Sequence, residues 1–166
     1  MTFAAMADEF KALNTELIGL SVDSVYSHIA WLRRIHELEW KGMRNVEVKF
    51  PVIADISMDV SRKYGMIQPE QSTTQAVRAV FVIDPESKIR AIIYYPLSTG
   101  RNFDELKRLV QALQKADADS VATPADWRLG DDVIIPPAGS CGVAKDRMES
   151  SGEDMYCLDW FICFKK

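Results

Sequence analysis

The chain is predicted to fold as an α/β layered protein built on a mixed sheet, and three observations carry that prediction. Segments of helical period alternate with short continuous apolar runs along the first two thirds of the sequence. Two of those runs, "AVRAVFVID" and "KIRAIIYYP", are separated only by the turn-forming stretch "PESK". From about Asp117 the composition turns rich in Gly, Pro, Ser and Asp, as expected of an arm beyond the layered part. Alternating helices and strands pack as layers, and so short a link pairs its strands antiparallel.

Each element follows from a local pattern. Phe3, Met6, Ala7, Phe10 and Leu13 recur at helical spacing opposite Asp8, Glu9 and Lys11, so a helix opens the chain with no capping residue before it. "ELIGLSV" is a continuous apolar strand. Asp23 or Ser24 then caps a helix over roughly Val25 to Leu38, with Val25, Ile29, Leu32 and Ile35 turned inward. "VKFPVIAD" is a second strand and "SMDVSRKYG" a short helix stopped at Gly65. The antiparallel pair follows. Asn102, with Glu105 three residues later, has capping-box spacing for a helix whose stripe is Phe103, Leu106, Leu109, Val110 and Leu113. There are no internal repeats, and "GSCGVAKDRMESSGED" reads as extended arm.

The totals exclude several classes of function. With 166 residues, 48% hydrophobic and 27% charged, the chain suits one globular domain with a real core. A net charge of −4 offers no basic surplus for nucleic acid. No apolar run reaches the ~18–20 residues of a membrane span, and "MTFAAMADEF" lacks the basic leader of a signal peptide. The expected compartment is the cytoplasm, where three cysteines are free thiols or redox groups rather than a disulfide framework.

Candidate chemistry is sparse. Arg78 lies in an apolar strand, either as a strand-end residue reaching solvent or as a guanidinium aimed at an anion in a pocket. Arg101, in "STGRNFDE", alone reads as a surface loop residue. His28 and His36 share a helix without metal-ligand spacing around them, so no metal is expected, and His28 reads as a hydrogen-bonded core residue. Trp31, Trp40 and Trp127 are most simply packing. Cys157 and Cys163 are too far apart for a Cys-x-x-Cys pair; they are either buried small hydrophobes or accessible thiols on a terminal arm. A thiol-based metal module stays open as a weaker class.

The ordered passages "LIGLSVDSVYSHIAW", "FPVIAD", "VRAVFVIDP", "YYPLSTGRNFDE" and "VATPADW" resemble peroxiredoxins of the one-cysteine subfamily, and "CLDWFIC" resembles the C-terminal signature of its archaeal-type branch. The resemblance spans the whole chain. It implies a thioredoxin-like fold and cofactor-free reduction of hydrogen peroxide and organic hydroperoxides. A peroxidatic cysteine becomes a sulfenic acid, a resolving thiol converts this to a disulfide, and a thioredoxin-like reductant reopens it. On the matching positions, Arg78 would stabilise the thiolate and the peroxide, and Arg101 would support it. Cys157 would be the resolving cysteine, its disulfide formed with another subunit. Cys163 would be a second resolving residue or a disulfide partner; Cys141 has no counterpart. Homodimers assembled into toroids are the implied state. The implied division is 1–116 as partial core and 117–166 as dimerisation and resolving-cysteine arm.

One motif of the family does not occur. No Pro-x-x-x-Thr/Ser-x-x-Cys is present, and the helix Thr2 to Leu13 resembles the continuation of the helix that carries it. The resemblance therefore implies an N-terminally truncated chain without peroxidatic cysteine, expected to be inactive by itself. The alternative is a noncatalytic subunit that associates with full-length peroxiredoxin. By analogy a central strand is also missing between "ELIGLSV" and "VRAVFVI". The chain is then expected either to be unstable alone or to close its strands into a rearranged sheet.

Overall fold

The computed structural model describes every residue except 150, 151 and 153, and divides into two compact units, Met1–Phe103 and Asp104–Lys166. The expected opening helix forms as two pieces, α1 (Thr2–Ala5) and α2 (Ala7–Ala12), meeting at Met6, and no side chain caps α1. Phe10 is its buried residue. Its other aromatic, Phe3, packs edge-on to Phe10 at 5.3 Å and stacks on Phe103 at 4.7 Å.

Strand β1 (Gly19–Ser21) pairs in parallel with β2 (Val52–Ala54), in the register Leu20 opposite Ile53. Between them runs α3 (Val25–Glu37), capped by the Ser24 hydroxyl, which accepts from the Ser27 amide at 3.2 Å. His28 is buried, and its Nε2 lies 2.6 Å from the Ser21 hydroxyl, which itself donates to Asp23 at 2.8 Å. With that hydroxyl proton committed to Asp23, His28 is the donor, and the bond ties α3 to β1. The stripe expected on α3 is only half realised. Ile35 is buried, while Val25, Ile29, Trp31 and the nearby Trp40 are exposed, so Trp31 and Trp40 are not core residues.

After β2, Met58 takes a left-handed conformation (φ 61°) and lets Asp55 reach over the start of α4 (Asp59–Lys63). The buried Asp55 carboxylate accepts from the amides of Val60 (3.1 Å) and Ser61 (2.7 Å). Burial alone would raise its pKa, but the hydrogen bonds from Ser61 and Val60 outweigh it and hold the carboxyl below its ordinary value. Gly65 (φ 65°) ends α4 as expected, since a left-handed residue is needed for the Met66 amide to reach back to the Ser61 carbonyl at 2.8 Å.

Strands β3 (Arg78–Ile83) and β4 (Ile89–Tyr95) form the predicted antiparallel pair. Tyr64, at the end of α4, packs edge-on to Phe81 at 4.9 Å, and its carbonyl accepts from the Tyr94 hydroxyl. Among the described residues β1–β2 and β3–β4 are separate two-stranded sheets. The strands have not closed into a rearranged sheet.

The second unit corrects the reading of an extended arm. Helix α5 (Phe103–Asp119) contributes Leu106, Val110 and Ala112 to the interior. Beyond it lies an antiparallel sheet of β5 (Val133–Ile135), β6 (Met155–Asp159) and β7 (Ile162–Lys165), in the order β5-β7-β6, together with α6 (Cys141–Glu149). Trp127, Ala112 and Val133 form a buried cluster with Val121 against it. The indole donates to the Asp131 carbonyl at 3.0 Å. Arg108, held by Glu105 at 2.6 and 2.8 Å, donates to the Trp127 carbonyl at 3.2 Å. A stretch too polar and glycine-rich to suggest a core is thus folded around one tryptophan.

Candidate functional site

Two groups of residues singled out by sequence are brought together, one in each unit. In the first unit Arg78 opens β3 as a strand-end arginine, exposed rather than buried, and donates to the Thr99 carbonyl at 3.3 Å. That bond draws it to the loop following β4, from which Arg101 projects. The two arginines, 23 positions apart in sequence, lie within electrostatic reach of each other. Desolvation lowers the pKa of Arg101 most, repulsion from Arg78 lowers it further, and Tyr95 partly opposes both. A guanidinium still stays protonated at neutral pH. The result is a doubly cationic spot whose internal repulsion an anion would relieve.

The spot is anchored to the start of the chain. The Arg101 guanidinium lies 5.9 Å from the Phe103 ring, and Phe103 stacks on Phe3 in the first turn of α1. The sequence showed both arginines, but not that Phe103 would link them to residue 3.

In the second unit Cys157 and Cys163 are joined by a disulfide within the chain. Spacing alone argued against a redox pair, yet β6 and β7 form a hairpin whose register sets Cys157 directly opposite Cys163. Stacking of Tyr156 on Phe164 at 5.2 Å and the Tyr156 hydroxyl bond to Asp132 at 2.9 Å hold that register. Donation to Asp132 raises the Tyr156 pKa, as do its partial burial and the carboxylate charge, so the bond persists at neutral pH. Cys163 is buried and Cys157 half-buried. Leu158, Trp160 and Phe161, beside and in the turn, are exposed. Cys141 is a free exposed thiol at the opposite end of α6 from Arg147, whose carbonyl lies 3.9 Å from the Cys157 sulfur.

Such a bridge closes a short loop, so its expected stabilisation is modest. Reduction should cost the second unit about 2 kcal/mol by loop-closure entropy. Denaturant titrations with and without a phosphine reductant, followed by Trp127 fluorescence, measure this. Among the described residues no cluster of His, Cys, Asp and Glu could hold a metal ion, and no helix is long and apolar enough to cross a membrane.

Residues 1–92 match the AhpC/TSA family model, and residues 112–151 match the C-terminal domain of 1-Cys peroxiredoxin. A peroxiredoxin of Methanosarcina mazei is 65% identical over all of this chain and 76% of its own length. One from Nanoarchaeum equitans is 51% identical over 99% of this chain and 77% of its own. Among solved structures, yeast mitochondrial 1-Cys peroxiredoxin, studied for thiol resolution through glutathione and thioredoxin systems, superposes with a TM-score of 0.82 at 38% identity. Peroxiredoxin 6 of Arenicola marina gives 0.81 at 31% identity, and both comparisons cover 99% of this chain and 76% of the other.

Proposed function

The chain belongs to the peroxiredoxin family, and from that premise we propose that Arg78 and Arg101 are its anion-stabilising half of a thiol peroxidase site, and Cys157 and Cys163 its resolving half. The family's chemistry is peroxide reduction by cysteine, with a thioredoxin-type dithiol as reductant. The observation that carries the assignment is that Arg78 and Arg101 lie within electrostatic reach of each other, with Arg101 near the Phe103 ring that stacks on Phe3 of α1. A thiolate held there is favoured over the thiol by both guanidinium charges. As it attacks one peroxide oxygen, the O–O bond breaks, and the arginines donate to the departing oxyanion until that takes up a proton. The sulfur is left as sulfenic acid.

This sequence has no Pro-x-x-x-Thr/Ser-x-x-Cys motif to supply that thiolate, so the reading assigns the arginines and not the nucleophile. On the resolving side, the Cys157 thiol condenses with a sulfenic acid on another subunit, releasing water and forming an intersubunit disulfide. The Cys163 thiolate then displaces the first sulfur from Cys157 and leaves the Cys157–Cys163 bridge for the reductant to reopen. The disulfide within the hairpin supports that second exchange. A homodimer assembled into toroids in the cytoplasm is the proposed setting, where such disulfides are transient and catalytic.

The expected result is that the purified 166-residue chain shows no thioredoxin-dependent peroxide turnover. Joined to the part of the M. mazei peroxiredoxin that it does not match, it should turn over. Catalytic consumption by the isolated chain, or none by the joined one, would overturn the reading.

A further inference from the structure

Among the described residues the sheet of the second unit has the order β5-β7-β6, so β7 is flanked on both sides and β6 on one. The Cys157–Cys163 bridge therefore joins two unequal positions. Cys163 lies on the central strand, in register with Ile135 of β5 on one side and Cys157 of β6 on the other, and is 2% exposed. Cys157 lies on the outer strand and is half-buried, and Leu158 beside it is 69% exposed.

Thiol–disulfide exchange is a displacement at sulfur. The attacking thiolate enters opposite the sulfur that leaves, so each end of a bridge is reached only from its own side. A reductant attacking Cys163 has to enter past β5, where Ile135 stands opposite that residue. One attacking Cys157 enters from the outer side of β6, which pairs with no strand among the described residues. Leaving-group chemistry runs the other way, because a thiolate released at the buried position loses hydration and departs more slowly. That preference only modulates a rate, whereas burial closes the approach. Access decides.

We propose that the reductant attacks the Cys157 sulfur and that Cys163 is the leaving thiol. The first reductant thiolate bonds to Cys157 as the Cys157–Cys163 bond breaks. Cys163 departs as a thiolate and takes a proton from water, with the Asp159 carbonyl 3.9 Å from its sulfur as acceptor. The second reductant thiolate then displaces Cys157 from the mixed disulfide. The reductant is oxidised to its own disulfide, and both protein sulfurs end as thiols. The inference rests on the resolving role proposed for this pair and adds a division of labour within it. Every exchange with another molecule runs through Cys157, and Cys163 exchanges only within the chain.

The test uses the oxidised 166-residue chain without substitution and a thioredoxin whose second active-site cysteine is replaced by serine, so that exchange stops at the mixed disulfide. Early samples are quenched with iodoacetamide and cut with chymotrypsin, and mass spectrometry locates the linked and the alkylated cysteine. Cys157 should carry the thioredoxin and Cys163 the alkyl group, in at least about tenfold excess over the reverse. Glutathione in place of thioredoxin should show the same preference in buffer and lose it in urea, where both sulfurs are exposed. Linkage at Cys163, comparable linkage at both, or a preference that survives urea would overturn the assignment and leave the resolving role standing. No linkage at either cysteine, in a chain whose bridge dithiothreitol opens, would overturn both.

Discussion

Arg78→Ala, placed in the chain joined to the unmatched part of the M. mazei peroxiredoxin, is expected to lower kcat/KM for hydrogen peroxide by about 10²–10³-fold. That is the usual cost of removing one charged donor aimed at a developing oxyanion. The loss should divide in a particular way. If Arg78 stabilises the thiolate, the pH dependence of iodoacetamide alkylation at the peroxidatic sulfur will move upward in the variant. If Arg78 only braces the Thr99 loop through its 3.3 Å bond, alkylation will be unchanged and the melting temperature will fall. Arg78→Lys keeps a charge but not the fork of donors, and should recover part of the alkylation shift and little of the turnover. Steady-state peroxide assays and alkylation profiles of the three proteins separate these outcomes.

Trp127→Ala is expected to destabilise the second unit by about 3–5 kcal/mol, the range for emptying a buried large aromatic site. Trp127 is 1% exposed and packs in one cluster with Ala112 of α5 and Val133 of β5. Its removal opens a cavity and strands the Asp131 carbonyl that its indole satisfies. Since β5 pairs with β7, and β7 with β6, loosening β5 reaches the hairpin that sets Cys157 opposite Cys163. The variant should lose cooperative unfolding of this unit in urea, and its Cys157–Cys163 disulfide should be reduced faster by dithiothreitol. Wild-type urea stability together with unchanged reduction kinetics would show that the core lies elsewhere.

Much of the fold was legible from residue patterns. The link "PESK" between two apolar runs predicted an antiparallel pair, because so few residues allow little else. The stripe on α5 predicted Leu106 and Val110 as interior residues, and both are buried. Gly65 marked a helix end because its conformation excludes a Cβ at little cost only for glycine. What failed were inferences about partners. Val25 and Ile29 carry a helical apolar pattern that predicts burial, yet they are exposed. Periodicity identifies which face seeks cover, not whether anything covers it. The last 50 residues failed in the other direction. Their polarity suggested an extended arm, but one tryptophan and a hairpin suffice for a small packed unit.

The sequence by itself determined the kind of protein and its reactive inventory. Two arginines and two cysteines sit in family-like passages, with no nucleophile motif to join them. Strand and helix periods depend on neighbours a few residues away, which is why those elements could be read directly. Only the tertiary structure decided the pairings: Arg78 with Arg101 through the Thr99 loop, Phe103 with Phe3, and Cys157 with Cys163 across the hairpin. Each depends on register or chain return over a distance that local patterns do not encode. Likewise, only the paired strands show that, among the described residues, β1–β2 and β3–β4 form two separate sheets. A backbone hydrogen bond is specified by geometry, not by which side chain the residue carries.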